Sequence, residues 1–156
     1  MSHYQSSLII AASPATVYAA LTTADGLRGW WTADCDVATG VGGELRFRFG
    51  AHYKHMRIEK LDPAREVRWR CTVAHLAVDT LKRHDEWVGT ELSFRLTGLD
   101  DGRTRLDFEH IGLTPTLECY DLCSGGWDHF LASLQQYAQT GQGTPAASSC
   151  AEAAAQ

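Results

Sequence analysis

The stretch Glu118–Tyr137, ECYDLCSGGWDHFLASLQQY, decides how the rest of the chain is arranged. Counted from Trp127, the residues Phe130, Leu131, Leu134 and Ala138 follow at three, four, seven and eleven positions, the spacing of one apolar stripe along a helix. A stripe of that kind must be covered. Upstream, several runs alternate apolar with polar residues as strands with one buried side do, and together they supply a cover for this helix.

Working back from it, Tyr4 to Ala11 reads as a first strand ending in the apolar run Leu8-Ile9-Ile10. Ser13-Pro14 opens a helix, with serine as N-cap and proline at the first helical position, where no useful donor is lost. Asp25-Gly26 breaks it, and Leu27 to Trp31 reads as a second short helix. Its adjacent Trp30 and Trp31 point about 100° apart, so one is expected inward and the other at a rim. Gly40 to Gly43 is a turn, after which Leu45, Phe47 and Phe49 alternate with Glu44, Arg46 and Arg48. Tyr53 to Leu61 is a further strand whose parity slips, which predicts a bulge near Glu59-Lys60. Past the Asp62-Pro63 turn, Val67, Trp69 and Cys71 fall on one face of Glu66–Thr72. Ala74 to Glu86 shows no firm period and reads as a long connection with at most a helical turn. Alternation returns from Trp87, with Leu92, Phe94 and Leu96 in phase. It resumes after the hairpin signal Asp100-Asp101-Gly102, where Leu106, Phe108 and His110 share a face of Thr104–Ile111. The expected architecture is an α+β helix-grip: a curved seven-stranded antiparallel sheet wrapped around a long C-terminal helix, with two short helices after the first strand. The domain spans 1–140, and 141–156, small and polar, reads as a disordered tail.

Composition narrows the function classes. The chain has 156 residues with 14 Lys plus Arg against 19 Asp plus Glu, a net charge of −5, which argues against a general nucleic-acid or anionic-membrane surface. No apolar run is long enough to insert in a membrane, and LIIAA is too short for a signal h-region, so a cytoplasmic location is the expectation. Five cysteines, Cys35, Cys71, Cys119, Cys123 and Cys150, form no paired framework and fit a reducing compartment.

The order of elements resembles the START-like or SRPBCC superfamily, also called the helix-grip or birch-pollen-allergen-like fold. Within it the chain resembles the group called activator of heat-shock protein 90 ATPase homologue-like. The resemblance rests on Ser13-Pro14 through Leu21, Trp30-Trp31, Gly42-Gly43, Leu61-Asp62-Pro63 and Gly89-Thr90. It continues through Phe108-Glu109-His110-Ile111-Gly112-Leu113 and Gly126-Trp127 with Leu131 and Leu134, covering roughly residues 4 to 140. It implies a cavity between sheet and long helix that in many relatives receives lipids, sterols or polyketides. Some relatives are cyclases or aromatases, others carriers or stress-response components.

The leading expectation is therefore a binding module rather than an enzyme, enclosing a small apolar or aromatic ligand without a cofactor. Its lining is expected to be Trp30, Phe47, Phe49, Trp69, Phe94, Phe108, His110, Trp127 and Leu131. His110 carries the alternatives. An ionisable group on an apolar face is either a structural histidine tying the last strand to the helix or the acid or base of a cyclase-like or hydrolase-like enzyme. The structural reading is favoured, because a general base needs a partner that the sequence does not supply. Cys119 and Cys123 share a helical face, but His129 lies about 240° around from Cys123, so thiols packed as small apolar groups are preferred to a zinc site. Gly125-Gly126 costs a helix about 2 kcal/mol and is read as a close approach, a kink widening a pocket entrance, or a break between two helices. A third functional reading is a chaperone or stress-response partner met at the rim near Trp31 and the 74–86 connection.

Overall fold

The computed structural model describes residues 3–146. After β1 (Tyr4–Ile10) come α1 (Pro14–Thr22) and α2 (Ala24–Trp30), then β2 (Cys35–Asp36), β3 (Glu44–Phe49) and β4 (His52–Asp62). β5 (Glu66–His75), β6 (Glu91–Gly98) and β7 (Thr104–Ile111) follow, and α3 (Tyr120–Thr140) closes the domain. One curved antiparallel sheet runs in the order β1-β7-β6-β5-β4-β3-β2, so that β1 pairs with the last strand rather than the next. This is the α+β helix-grip that the sequence predicts. Its seventh strand, β2, is two residues long, too short for alternation to reveal.

Local chemistry sets the element ends. Ser13 accepts the Thr16 N–H at 3.2 Å and Pro14 takes the first turn of α1. Thr23 accepts the Gly26 N–H at 3.0 Å to start α2. The expected bulge lies between Ile58 and Lys60, and a second register shift falls between His55 and Met56. Gly102 holds φ +85° in the β6–β7 turn, a conformation that favours glycine. On the outer face charge pairs form between strands, Arg95 with Glu109 at 2.8 Å and Arg70 with Glu91 at 3.1 Å. Each contributes little at such exposure.

The inner face is a continuous body of rings. Trp31 lies 4.4 Å from Phe47, 5.6 Å from Phe49, 6.2 Å from Trp69 and 5.3 Å from Trp127 between centroids. Phe108 reaches Trp127 at 4.5 Å, joining β7 to α3. Trp30 and Trp31 stack on each other at 5.5 Å, and both are buried. The expectation that one of them sits at a rim is therefore corrected: Trp31 is the C-cap of α2, at the point where the chain turns into the core. The two helices meet closely, since a Cβ on Gly29 would stand 2.2 Å from the Tyr137 ring.

The C-terminal boundary also differs from the sequence reading. Past Gly141 the chain folds back: Thr144 N–H donates to Ser133 Oγ at 2.7 Å and Ala146 N–H to the Trp31 carbonyl at 2.7 Å. Ser133 in turn donates to the Trp30 carbonyl. Residues 142–146 thus complete the cover over α2. The rest of the expected tail, with Cys150, lies outside the described residues.

Two outcomes follow from this packing. Trp31→Ala is expected to destabilise by about 3–5 kcal/mol, as large-to-small changes at aromatic core sites do, read by urea denaturation. A chain ended after Gly141 is expected to lose about 1–2 kcal/mol, because the Trp31 carbonyl and Ser133 Oγ lose their partners. An unchanged midpoint would show that the returning segment contributes nothing.

Candidate functional site

Because the rings fill the middle of the grip, the main hollow opens at one end, between the start of β4, the 76–90 loop and the first half of α3. It encloses about 450 Å³, counting the solvent at its mouth. Strand residues Phe49, His52 and Lys54 form one wall, and Leu76 and Trp87 come from the loop. Leu122, Cys123, Gly126, Trp127 and Phe130 come from α3, with Trp31 at the floor. The helical contributors lie at intervals of one, four, five and eight residues, which is one face of one continuous helix. A break at Gly125-Gly126 is thereby excluded: both lie within α3, Gly125 exposed and Gly126 buried in the wall of the hollow.

β4 delivers the polar members. His52, Lys54, Met56 and Ile58 are all buried on its inner face, and the intervening residues point away. Lys54 is only 9% exposed, and its Nζ lies 4.1 Å from the Trp87 ring centroid and 4.5 Å from that of Phe49. Among the described residues no carboxylate pairs with it. Burial pushes its pKa below the usual lysine value. His52 Nδ1 accepts the Ala77 N–H at 2.8 Å, which places the ring proton on Nε2; burial, and then the charge on Lys54, lower its pKa.

The loop is pinned to the helix in both directions. Glu86 accepts the N–H groups of Glu118 at 3.2 Å and Cys119 at 3.0 Å, a carboxylate at the start of α3, where the helix dipole favours it. Glu118 accepts those of Lys82 at 2.8 Å and Arg83 at 3.0 Å. Next to this clamp the Trp87 indole N–H donates to Cys123 Sγ at 3.1 Å. Its hydrogen bond with Cys123, together with burial, holds the Cys119 thiol well above the usual thiol range. His129 instead approaches the Thr144 carbonyl at 3.1 Å. Among the described residues, no three of His, Cys, Asp or Glu gather as a metal site needs.

His110 is fully buried within a closed relay. The Trp127 indole donates to Nδ1 at 3.0 Å, so Nε2 carries the proton and donates to Thr90 Oγ1 at 2.8 Å, whose hydroxyl donates to the Trp87 carbonyl at 2.6 Å. Both ring nitrogens are occupied. Burial, followed by the charge on Lys54, holds its pKa well below the usual histidine value.

Of the nine residues expected to line a cavity, Phe49 and Trp127 line this hollow, and Trp69 borders a smaller one beside Leu21 and Leu45. Trp30, Phe47, Phe94, Phe108 and Leu131 are packed into the core, and His110 stands against Trp87 and Trp127 without reaching the hollow. Alternation reports which face is inner, not where that face is left uncovered. Lys54, His52, Trp31, Trp87 and Cys123 were missed. For Lys54 and His52 the signal was present in the parity they share with Met56 and Ile58.

Comparison with known proteins agrees with this fold. The family described as Activator of Hsp90 ATPase homolog 1-like protein matches over residues 11–139. The solution structure of the Aha1 dimer from Colwellia psychrerythraea is similar at 33% identity and TM-score 0.75, covering 92% of this chain and 100% of that one. Protein MLL2253 from Mesorhizobium loti is similar at 18% identity and TM-score 0.65, over 85% of this chain and 95% of its own. Protein SSP2350 from Staphylococcus saprophyticus shares 15% identity at TM-score 0.67, over 94% and 98%. No curated protein matches.

The buried ionisable groups set the pH response. His110 and His52 have folded pKa values below 6.5, so the unfolded state takes up protons first as pH falls. Their contribution is intact above about pH 6.5 and is progressively lost below it. Urea midpoints are expected to decline between pH 6.5 and 5, with a shallower decline in His110→Gln; a flat profile would refute this. Lys54 likewise has a folded pKa below 10.5, so it opposes folding at neutral pH and ceases to do so as pH rises towards 10.5. Lys54→Met is expected to gain about 1 kcal/mol or more at pH 7 by removing an unpaired buried charge. That advantage is expected to shrink with rising pH.

Proposed function

The chain belongs to the Activator of Hsp90 ATPase homolog 1-like family, and from that premise we propose that it is a small-molecule binding module using the hollow between β4, the 76–90 loop and α3. The observation that carries the reading is the wall itself. Five aromatic side chains, Trp31, Phe49, Trp87, Trp127 and Phe130, surround a hollow with few polar groups. Such a surface favours an apolar or aromatic guest, which gains by burial and by ring stacking. Cys35, Cys71, Cys119 and Cys123 are unbridged, which supports placing the protein in a reducing compartment such as the cytoplasm. Among the described residues no helix is long and apolar enough to cross a membrane.

The enzyme alternative fares less well, since His110 has neither a free ring nitrogen nor a face on the hollow. The family description and the Aha1 relative favour a second reading, an interaction domain meeting a chaperone or stress partner. Trp31 itself is buried, so of the surface expected for such a partner the 74–86 connection is the part this reading would use.

Three tryptophans wall the hollow, so a guest reports itself by quenching their fluorescence. Native mass spectrometry and quenching against a panel of aromatic and short-chain lipid probes are expected to give a saturable one-to-one binder. Leu122→Trp, which narrows the mouth, is expected to weaken it by about tenfold, or 1.4 kcal/mol. Absence of any saturable binder would overturn the proposal.

A further inference from the structure

Lys54 is out of place in a pocket built only for apolar guests. The other strand lysine, Lys60, lies on the outer face and pairs with Glu66 at 3.0 Å, as a surface lysine is expected to do. Lys54 is turned inward with nine-tenths of its surface covered, and it lines the hollow. The ring faces of Trp87 and Phe49 offset part of its charge but accept no strong hydrogen bond. An ammonium has three N–H donors, and among the described residues no hydrogen bond or ion pair uses them. A methionine in its place, like Met56 two residues along the same face, would fill the space without burying a charge.

A second donor stands on the same face. His52 commits Nδ1 to the Ala77 amide, which leaves its Nε2–H as a donor in the wall. With the aromatic rings around them, two nitrogen donors on β4 form an amphipathic receptor: apolar on several sides and electropositive on one.

We propose that the guest of this hollow joins an apolar or aromatic body to an anionic group, a carboxylate in the simplest case, and that the Lys54 ammonium selects it. The assignment rests on the pocket reading above and names its ligand class. An anion entering beside Lys54 meets a cation largely shielded from bulk water, where charge-assisted hydrogen bonds are stronger than at the surface. A neutral amide of the same shape offers its carbonyl as an acceptor but no opposite charge, so it offsets less of the cost of burying the cation. Discrimination between the two therefore measures the role of Lys54 directly, independent of how tightly the rings grip.

The test uses matched probes, naphthalene-2-carboxylate against naphthalene-2-carboxamide and benzoate against benzamide, titrated at pH 7 by calorimetry and tryptophan quenching. In the native chain each carboxylate is expected to bind about tenfold or more tighter than its amide. In Lys54→Met the preference for the carboxylate is expected to vanish, whereas Lys54→Arg, which keeps the charge, is expected to retain it. Amides binding as tightly as carboxylates in the native chain would overturn the proposal, as would a preference that survives in Lys54→Met. Amides that bind while carboxylates do not would overturn it and leave the pocket standing; if neither member of either pair binds, the pocket reading fails and takes this inference with it.

Discussion

The ring of Trp31 is the contact on which the other layers depend. It stands at the end of α2, touches Phe47, Phe49 and Trp69 on the sheet and Trp127 on α3, and thereby joins all three in one packed body. A buried aromatic of this size removes roughly 200 Å² from water, about 5 kcal/mol gross. No charged outer-face pair approaches that contribution. Because the contact is central, the space inside the grip is already taken. The main hollow lies at the edge of the ring cluster, where Gly126 is part of the wall and the 76–90 loop bridges the gap.

Much of the fold was legible because strands and helices announce themselves by period. Leu45-Phe47-Phe49, Val67-Trp69-Cys71, Leu92-Phe94-Leu96 and Leu106-Phe108-His110 lie on the buried face that their alternation requires. The Trp127 stripe likewise faces inward, with Phe130, Leu131 and Leu134 buried beside it. What period does not encode is the third dimension. β2 is too short to alternate, and residues 142–146 are small and polar yet dock through backbone N–H groups, which no side-chain pattern reveals. The site was less legible for the same reason. Aromatic content marks the core as readily as a cavity wall, and only two of the expected lining residues belong to the wall.

His110 and Lys54 show how equal burial leads to opposite roles. Both are ionisable groups on the inner face of the sheet, and burial depresses the pKa of each. The imidazole can be neutral, one nitrogen accepting and the other donating, and its neighbours Trp127 and Thr90 supply the complementary donor and acceptor. It is therefore satisfied in place and acts as a tie between β7 and α3. Lysine has donors but no acceptor, and its neighbours are ring faces and the thiols of Cys71, Cys119 and Cys123. A satisfied polar group reports on the fold, whereas an unsatisfied one at the wall of a hollow reports on what enters.

The 76–90 loop has the least sequence regularity and the most influence on the shape of the hollow. Its hydrogen bonds explain how both can hold. A loop without a period can still be fixed when its polar groups meet backbone donors left over elsewhere, and the start of a helix is the richest source of these. The N-cap position of α3, Cys119, offers no side-chain cap, so Glu86 reaches across to the Glu118 and Cys119 amides while Glu118 returns the favour to Lys82 and Arg83. Trp87 follows Glu86 directly, and its indole is held by Cys123 one turn into the same helix. The ring that Lys54 faces is thus positioned by the helix whose own first turn it helps to complete. Helix end, loop and pocket wall form one coupled unit, so a change that frees the start of α3 also loosens the surface on which a guest would stack.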